Sequence, residues 1–282
     1  MAGTAEVVTS MDKLPGVIYQ VLVPNEKGLE SVLRLLAAHP DKPPVDEIAV
    51  FTAATDAFSL ANTNATVADS LKRLERVVRD ALDKGVRVRG YVSVVITCPY
   101  SGKTDYRRVR DVTRELLDMG CYEVSLGDTT GTGNPTRVNE MLNVTLAANP
   151  VEKLAGHVCD NPLCTTPPQL FFLFQFHDTF GMGVANSIAA LSVGIRTLDS
   201  SIGGLGGCPY SPGATGNVAT EDILYALQDS PYSAPGNLEA LIDVGFWISD
   251  KLGRDNSSRV GKAVRARRER VRQSQPEVKL VL

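Results

Sequence analysis

The sequence predicts a parallel α/β fold built from successive βα units, and three observations carry that expectation. Short β-branched runs alternate with longer segments of helical period along most of the 282 residues, the pattern of units that lay strand beside strand. Two strands end in a related polar signature, Gly127-Asp128-Thr129-Thr130-Gly131 and His177-Asp178-Thr179-Phe180-Gly181. Polar groups at the carboxyl ends of successive strands are where (β/α) barrels build their sites. The last strand runs into a glycine loop, between Ser200 and Asp222, that carries one thiol, Cys208.

In chain order, residues 17–23 read as a buried-type strand stopped by Pro24-Asn25. Residues 29–38 follow as helix, with apolar positions Leu29, Val32, Leu33 and Leu36. Residues 48–51 and 86–95 give the second and third strands, followed by helices over 67–82 and 106–119. A fourth strand, 122–126, precedes a helix over 135–147. A fifth lies within 153–177 and a sixth near 196, making six in all. Gly203, Gly204, Gly206, Gly207, Gly213 and Gly216 then mark a loop whose backbone must turn tightly or approach something closely. Asn217 is expected to open an amphipathic helix (Val218, Ile223, Leu224, Leu227) with Glu221 and Asp222 in its early turns.

The hydrophobic fraction of 43% and charged fraction of 22% suit a globular chain with a sizeable core. A net charge of −3 gives no general pull toward nucleic acid or an anionic membrane, and neither is expected as a partner. No apolar run approaches the roughly 20 residues of a membrane helix. Five cysteines with no zinc-type spacing point to reduced thiols in an intracellular compartment. The first residues carry acids and no arginine, and the last lack a peroxisomal ending, so no targeting signal is read.

Gly-Leu-Gly-Gly-Cys-Pro-Tyr at 204–210, followed by Gly-Ala-Thr-Gly-Asn-Val-Ala-Thr-Glu-Asp at 213–222, resembles the signature of the 3-hydroxy-3-methylglutaryl-CoA lyase family. The stretches Arg89-Gly90-Tyr91-Val92-Ser93 to Cys98-Pro99-Tyr100-Ser101-Gly102-Lys103, and Gly120-Cys121 to Asp128-Thr129, extend the likeness over about 14–264. The resemblance implies a TIM (β/α)8-type barrel. In the family, two further βα units come first, one with an Arg-Asp pair and one with a glutamate, and residues 1–13 correspond to the end of the second helix. The expectation is an N-terminally truncated, incomplete barrel with about six of eight units. It would form one domain over 1–282 that includes a basic helix and tail at 254–282.

The family also has a strand ending His-x-His-Asp-Thr, with both imidazoles on one divalent metal; residues two apart share a strand face. Here His177 supplies the second histidine, but Gln175 stands two positions earlier. Removing residues 158–175 would join Leu154-Ala155-Gly156-His157 to Phe176-His177-Asp178 and restore the motif. That segment reads as a retained intron, because valine codons begin GT, a glutamine codon can end AG, and Pro-Leu-Phe codons are pyrimidine-rich. A surface loop between two halves of a strand is the other reading. It would close at tolerable entropic cost but would make ligand geometry hard to keep.

The resemblance implies cleavage of 3-hydroxy-3-methylglutaryl-CoA to acetyl-CoA and acetoacetate, with Mg²⁺ or Mn²⁺ as cofactor. His157, His177 and Asn217 match the family's metal ligands. Cys208 and His157 match catalytic positions, and Tyr91, Ser125 and Asp128 match positions lining the acyl pocket. An acyl-CoA substrate is the implied partner, a homodimer is one assembly open to it, and the family is typically found in the mitochondrial matrix. The plainer readings stay beside these. Asp128 could cap the next helix; Asp178 could cap or could orient His177. His177 could be a core histidine, Cys208 could be inert packing, and Cys98 reads as structural. The basic run Arg259, Lys262, Arg265, Arg267, Arg268, Arg270 and Arg272 could hold CoA phosphates or nucleic acid, but most runs of this kind are solvated helix faces. Two rival functions are a related Claisen-type synthase, which the Gly-Gly-Cys-Pro-Tyr loop disfavours, and a catalytically impaired or non-catalytic member of the family.

Overall fold

The computed structural model describes residues 3–149, 172–207 and 216–274. The elements in order are α1 (Thr4–Ser10), β1 (Gln20–Leu22), α2 (Glu26–Ala38), β2 (Glu47–Ala53), α3 (Asp56–Thr63), α4 (Val67–Leu82) and β3 (Arg87–Ser93). A small antiparallel hairpin, β4 (Thr97–Cys98) and β5 (Gly102–Lys103), precedes α5 (Tyr106–Asp118), β6 (Glu123–Asp128) and α6 (Pro135–Ala148). Then come β7 (Phe172–Phe176), α7 (Gly183–Ser192), β8 (Thr197–Asp199), a one-turn 3₁₀ helix (Ile202–Gly204), α8 (Thr220–Ala226), α9 (Leu238–Leu252) and α10 (Arg259–Ser274).

The main sheet has six strands in the order β1-β2-β3-β6-β7-β8, and every neighbouring pair is parallel. The strands follow chain order across the sheet, as in a barrel left open between β1 and β8, so the incomplete (β/α) barrel expected from the sequence is what forms. Even-numbered positions of the strands (Ile48, Val50, Val88, Val92, Val124, Leu126) meet apolar positions of α4, α5 and α6 (Leu71, Leu74, Val78, Val112, Leu116, Val138, Leu142) in one core. Each fully buried leucine or valine there contributes about 1.5–3 kcal/mol against its exposed state. Thr66, Asp105 and Asn134 cap α4, α5 and α6 by accepting hydrogen bonds from early backbone N–H groups.

Odd-numbered positions of β2, β3, β6 and β7, with even-numbered positions of β1, face the bore. The register sets Gln20 beside Glu47 and Arg87, Leu22 beside Ala49, Arg89 and Glu123, and Phe51 beside Tyr91 and Ser125. One step further toward the carboxyl ends, Gln175 lies beside Gly127 and Asp199.

Three expectations from the sequence need correction. The first strand is only three residues long, and Val17 (48%) and Ile18 (54%) stand exposed; this is a sheet edge, with no strand among the described residues on its outer side to extend the pairing. The third strand stops at Ser93 because Val94 takes φ 55, a left-handed conformation that is strained for a β-branched residue. It is held there by Thr129 Oγ1, which accepts from Val94 N at 2.9 Å, and by Thr104 Oγ1, which donates to Val94 O at 2.6 Å. Asn217 does not open a helix: α8 starts at Thr220 after Ala219, while residues 216–218 run against 176–178. Helices α3, α7 and α9 go beyond the alternation read from the sequence.

Candidate active site

At the carboxyl ends of the strands lies a cavity of about 550 Å³, lined by Gln20, Phe51, Asn62, Tyr91, Ser93, Thr129, Gln175, His177 and Gly207, among others. A second cavity of about 500 Å³ sits beside the free edge of β8, against Leu191, Ile223, Leu227 and Tyr232. It is lined by a single ionisable cation, Arg196, and by no acid or histidine. The first cavity is the chemical one, because an imidazole, a phenol and an amide converge there.

His177 is buried, 5% exposed, just past the end of β7. Burial pushes its pKa below the ordinary histidine range, against the opposing effect of a backbone hydrogen bond with Thr129. The ring is therefore held neutral, and its Nδ1 has no hydrogen-bond partner among the described residues. Asn217 lies opposite it. Val218 N donates to Phe176 O at 2.9 Å and Asp178 N to Gly216 O at 3.2 Å, making an antiparallel bridge between His177 and Asn217. Asn217 Nδ2 donates to Leu205 O at 2.9 Å, which leaves Oδ1 to accept from Gln175 Nε2 at 3.2 Å. The side chain expected to cap a helix instead joins β7 to the glycine stretch. Gly131, at φ +64, lets the loop after β6 press against the same strand end; a Cβ there would come within 2.6 Å of Thr179 Oγ1 and 2.8 Å of His177 O.

Tyr91 faces the cavity and donates from its hydroxyl to Gln20 Oε1 at 3.1 Å. Burial and the nearby Asp199 carboxylate push its pKa above the usual phenol range although Arg89 opposes them, so the hydroxyl keeps its proton. Ser125 is buried behind the cavity and donates to Asp199 Oδ2 at 2.9 Å. Asp128 is buried as well, and its carboxylate turns back on its own loop to accept from Gly133 N at 2.8 Å. Burial pushes its pKa up to about 6 against the hydrogen bonds from Gly133 and Thr130. Asp128 therefore braces the loop ahead of α6, whose cap is Asn134. Asp178 accepts from Gly183 N at 2.8 Å and pairs with Arg259 Nη1 at 2.7 Å, which favours capping over orienting His177. Cys98 is buried and its sulfur accepts from Thr55 Oγ1 at 3.2 Å. His157, Cys208 and the segment 158–171 lie outside the described residues. Gly207, the residue before Cys208, lines the cavity with His177.

Beneath the mouth lies a buried charge cluster that the sequence reading did not single out. Arg89 pairs with Asp199 Oδ1 at 2.7 Å and lies 3.2 Å from Glu123 Oε2, an ion-pair contact without hydrogen-bond geometry. One guanidinium thereby ties β3 to both β6 and β8. The legible signal was charge at alternate positions of a strand, Arg87 and Arg89, which marks a shared face but not the partners across the sheet.

An imidazole nitrogen at His177 and amide oxygens at Asn217 and Gln175 are donors that a Mg²⁺-like or Mn²⁺-like ion accepts, and the unpartnered buried Nδ1 fits that use. The described residues add no carboxylate: they contain no group of three or more His, Cys, Asp or Glu able to hold a metal.

A (β/α)-type sheet with its cavity at the carboxyl ends of the strands, an imidazole at the rim and a glycine stretch beside it defines a barrel enzyme. The chain belongs to the HMGL-like family, whose model matches residues 11–248. It is 45% identical over 267 residues to hydroxymethylglutaryl-CoA lyase of Pseudomonas mevalonii, covering 95% of this chain and 80% of that protein. It is 40% identical over 263 residues to the mitochondrial hydroxymethylglutaryl-CoA lyase of Bos taurus, covering 93% and 73%. The crystal structure of hydroxymethylglutaryl-CoA lyase from Pseudomonas aeruginosa superposes with a TM-score of 0.82 at 43% identity, over 95% of this chain and 80% of that one.

Proposed function

We propose that this chain is a metal-dependent carbon–carbon lyase that cleaves 3-hydroxy-3-methylglutaryl-CoA to acetyl-CoA and acetoacetate, using Mg²⁺ or Mn²⁺. The observation that supports it best is 45% identity across 95% of the chain to an enzyme of that name, together with the cavity that holds His177 and Gly207. In the reaction the tertiary hydroxyl loses its proton and the carbon–carbon bond breaks. The electron pair leaves on the thioester enolate, whose carbon is then protonated. A bound divalent cation supplies charge that holds substrate oxygens and favours the alkoxide.

His177 and Asn217 are assigned to that cation, and the burial that lowers the His177 pKa supports the assignment by favouring a neutral imidazole. Tyr91, protonated and facing the cavity, can donate to an acyl oxygen by turning its hydroxyl away from Gln20 Oε1. Cys208, the thiol that follows Gly207 in the sequence, is assigned the protonation of the departing carbon. Ser125 and Asp128, expected to line the acyl pocket, lie behind the cavity wall, and their proposed part is to brace Asp199 and the loop after β6. His157 matches the family's other histidine and is one claimant to the remaining ligand place.

The test is an assay of the full chain with 3-hydroxy-3-methylglutaryl-CoA and Mn²⁺, following acetoacetate and acetyl-CoA. Both products should form, and His177→Ala and Cys208→Ala should each lower kcat by at least about a hundredfold. A folded chain that binds the thioester and releases neither product would instead be the non-catalytic family member.

A further inference from the structure

We infer that Glu47, acting through Gln20, is a positioning residue for Tyr91: it fixes the Tyr91 hydroxyl as a donor to Gln20, so that the oxygen turns a lone pair to the cavity. The cavity then favours a ligand group that donates a hydrogen bond there, such as an alcohol, over one that only accepts. The inference rests on the lyase reading only in naming that alcohol as the tertiary hydroxyl of 3-hydroxy-3-methylglutaryl-CoA.

Tyr91, Gln20, Glu47 and Tyr122 form one row of hydrogen bonds across the sheet. Tyr91 Oη donates to Gln20 Oε1 at 3.1 Å, and Gln20 Nε2 donates to Glu47 Oε1 at 2.8 Å. Tyr122 Oη lies 3.0 and 2.8 Å from the two oxygens of Glu47, to which it donates. Arg87 Nη2 pairs with Glu47 Oε2 at 3.4 Å. The register explains the meeting, because Gln20, Glu47 and Arg87 stand side by side on β1, β2 and β3. Tyr122 closes the row from just ahead of β6, with Arg87 Cζ 4.1 Å from its ring centroid.

The buried end of the row sets its polarity. Glu47 is 3% exposed, and a carboxylate met by an amide, a phenol and a guanidinium can only accept. Gln20 must therefore turn its nitrogen to Glu47, which leaves its oxygen toward Tyr91, and that oxygen in turn can only accept. The single proton of the Tyr91 hydroxyl is committed to it. Gln20 and Tyr91 line the cavity and Glu47 lies behind them, so the carboxylate reaches a ligand only through this pair. An alcohol adds to the row without breaking it. An acyl carbonyl has no proton to give, and a bond from Tyr91 to it costs the bond to Gln20.

Glu47→Gln is the decisive variant, because Arg87 only donates and holds the new amide oxygen on its own side. The new amide nitrogen then faces Gln20, Gln20 turns over, and the Tyr91 proton is released to the cavity. Neutron diffraction from deuterium-exchanged crystals of the full chain should show the Tyr91 deuteron pointing at Gln20 in the wild type and at the cavity in Glu47→Gln. Binding is compared with a chelator present, so that the ligand hydroxyl is read against Tyr91 and not against a cation. The wild type should bind 3-hydroxy-3-methylglutaryl-CoA about three- to tenfold more tightly than 3-methylglutaryl-CoA, and Glu47→Gln should bring that ratio to about one or below. A deuteron that does not move, or a ratio that does not change, overturns the inference; a loss of stability alone would alter neither. If Glu47→Gln does not fold, Gln20→Leu takes its place, since Tyr91 then lacks its acceptor, and the same two results overturn the inference. A chain that binds neither thioester sinks the lyase reading, and the deuteron positions still decide the polarity of Tyr91.

Discussion

Glu123 shows how one side chain carries the electrostatics of the bore. It shares Arg89 with Asp199, and Asp199 has the better place, 2.7 Å from the guanidinium and bonded by Ser125. Burial pushes the Glu123 pKa up to about 7, with Asp199 and Glu47 adding to that push and Arg89 opposing it. An unfolded glutamate loses its proton near 4.5, so the native state binds the extra proton between these values. The stability this proton provides is complete below about pH 4.5 and is lost as pH rises through about 7. Thermal unfolding should therefore show the wild-type chain losing on the order of 1–3 kcal/mol between pH 5 and pH 8 that Glu123→Gln retains. Equal pH slopes for the two proteins would show that Glu123 is ionised throughout. The same reasoning explains why the site was only half visible beforehand. His177 could be picked out from its motif, but the fate of its Nδ1 depends on what packs around it. Asp128 and Ser125 sit at strand ends as expected, yet each spends its polar atoms on a neighbour that no local pattern names.

Among the elements, α8 does more than its seven residues suggest. Glu221 takes Gly203 N on both carboxylate oxygens, at 2.9 and 3.0 Å, anchoring the start of the glycine stretch. Asp222 beside it accepts from Ser258 Oγ at 2.6 Å, Val260 N at 2.9 Å and Arg259 N at 3.1 Å, so it caps α10 from another helix. The basic helix is held along its length too: Arg268 pairs with Asp243 and Glu239 of α9, Arg265 with Glu269, and Arg259 with Asp178. These pairs turn part of its charge inward and leave the rest as a solvated face. Asp222→Ala removes three bonds at one helix start and should cost about 1–2 kcal/mol. Hydrogen exchange should accelerate at 259–262 while the sheet stays protected; uniform loss of protection would mean that α10 is integral to the fold rather than capped onto it. Sequence identified Glu221 and Asp222 as early-turn acids of this helix. Their actual partners come from residues 18 positions back and 36 or more ahead.

At the scale of the molecule, the sheet of described strands ends in two single-paired edges, β1 and β8, and Leu14, Val17, Ile18 and Leu22 stand exposed near the first. Unpaired edges with apolar neighbours invite association. β7 lies next to the edge strand β8, between it and β6, and its register decides which residue faces the cavity. Deleting 158–175 would feed 154–157 into the place of 172–175 and set His157 two residues before His177. Such a chain should keep its parallel sheet, judged by far-UV circular dichroism, and should bind Mn²⁺ at least about tenfold more tightly, because a second imidazole would share a strand face with His177. A folded deletion chain with unchanged Mn²⁺ affinity would show that this strand position does not meet the ion.

By itself the sequence determined the alternation of strands and helices, the apolar face each strand turns to its helices, and the cluster of polar residues at the carboxyl ends. These follow from periods of two and 3.6 residues, which are written locally along the chain. Tertiary structure alone decided that β1 would be short and that Val94 would be forced to a positive φ. It also decided that Asn217 would pair beside His177 rather than open a helix, and that Gln175 would face the cavity. The reason is common to all four: a strand edge or a buried polar atom is settled by which segment packs next to it. That neighbour is fixed only when distant parts of the chain meet.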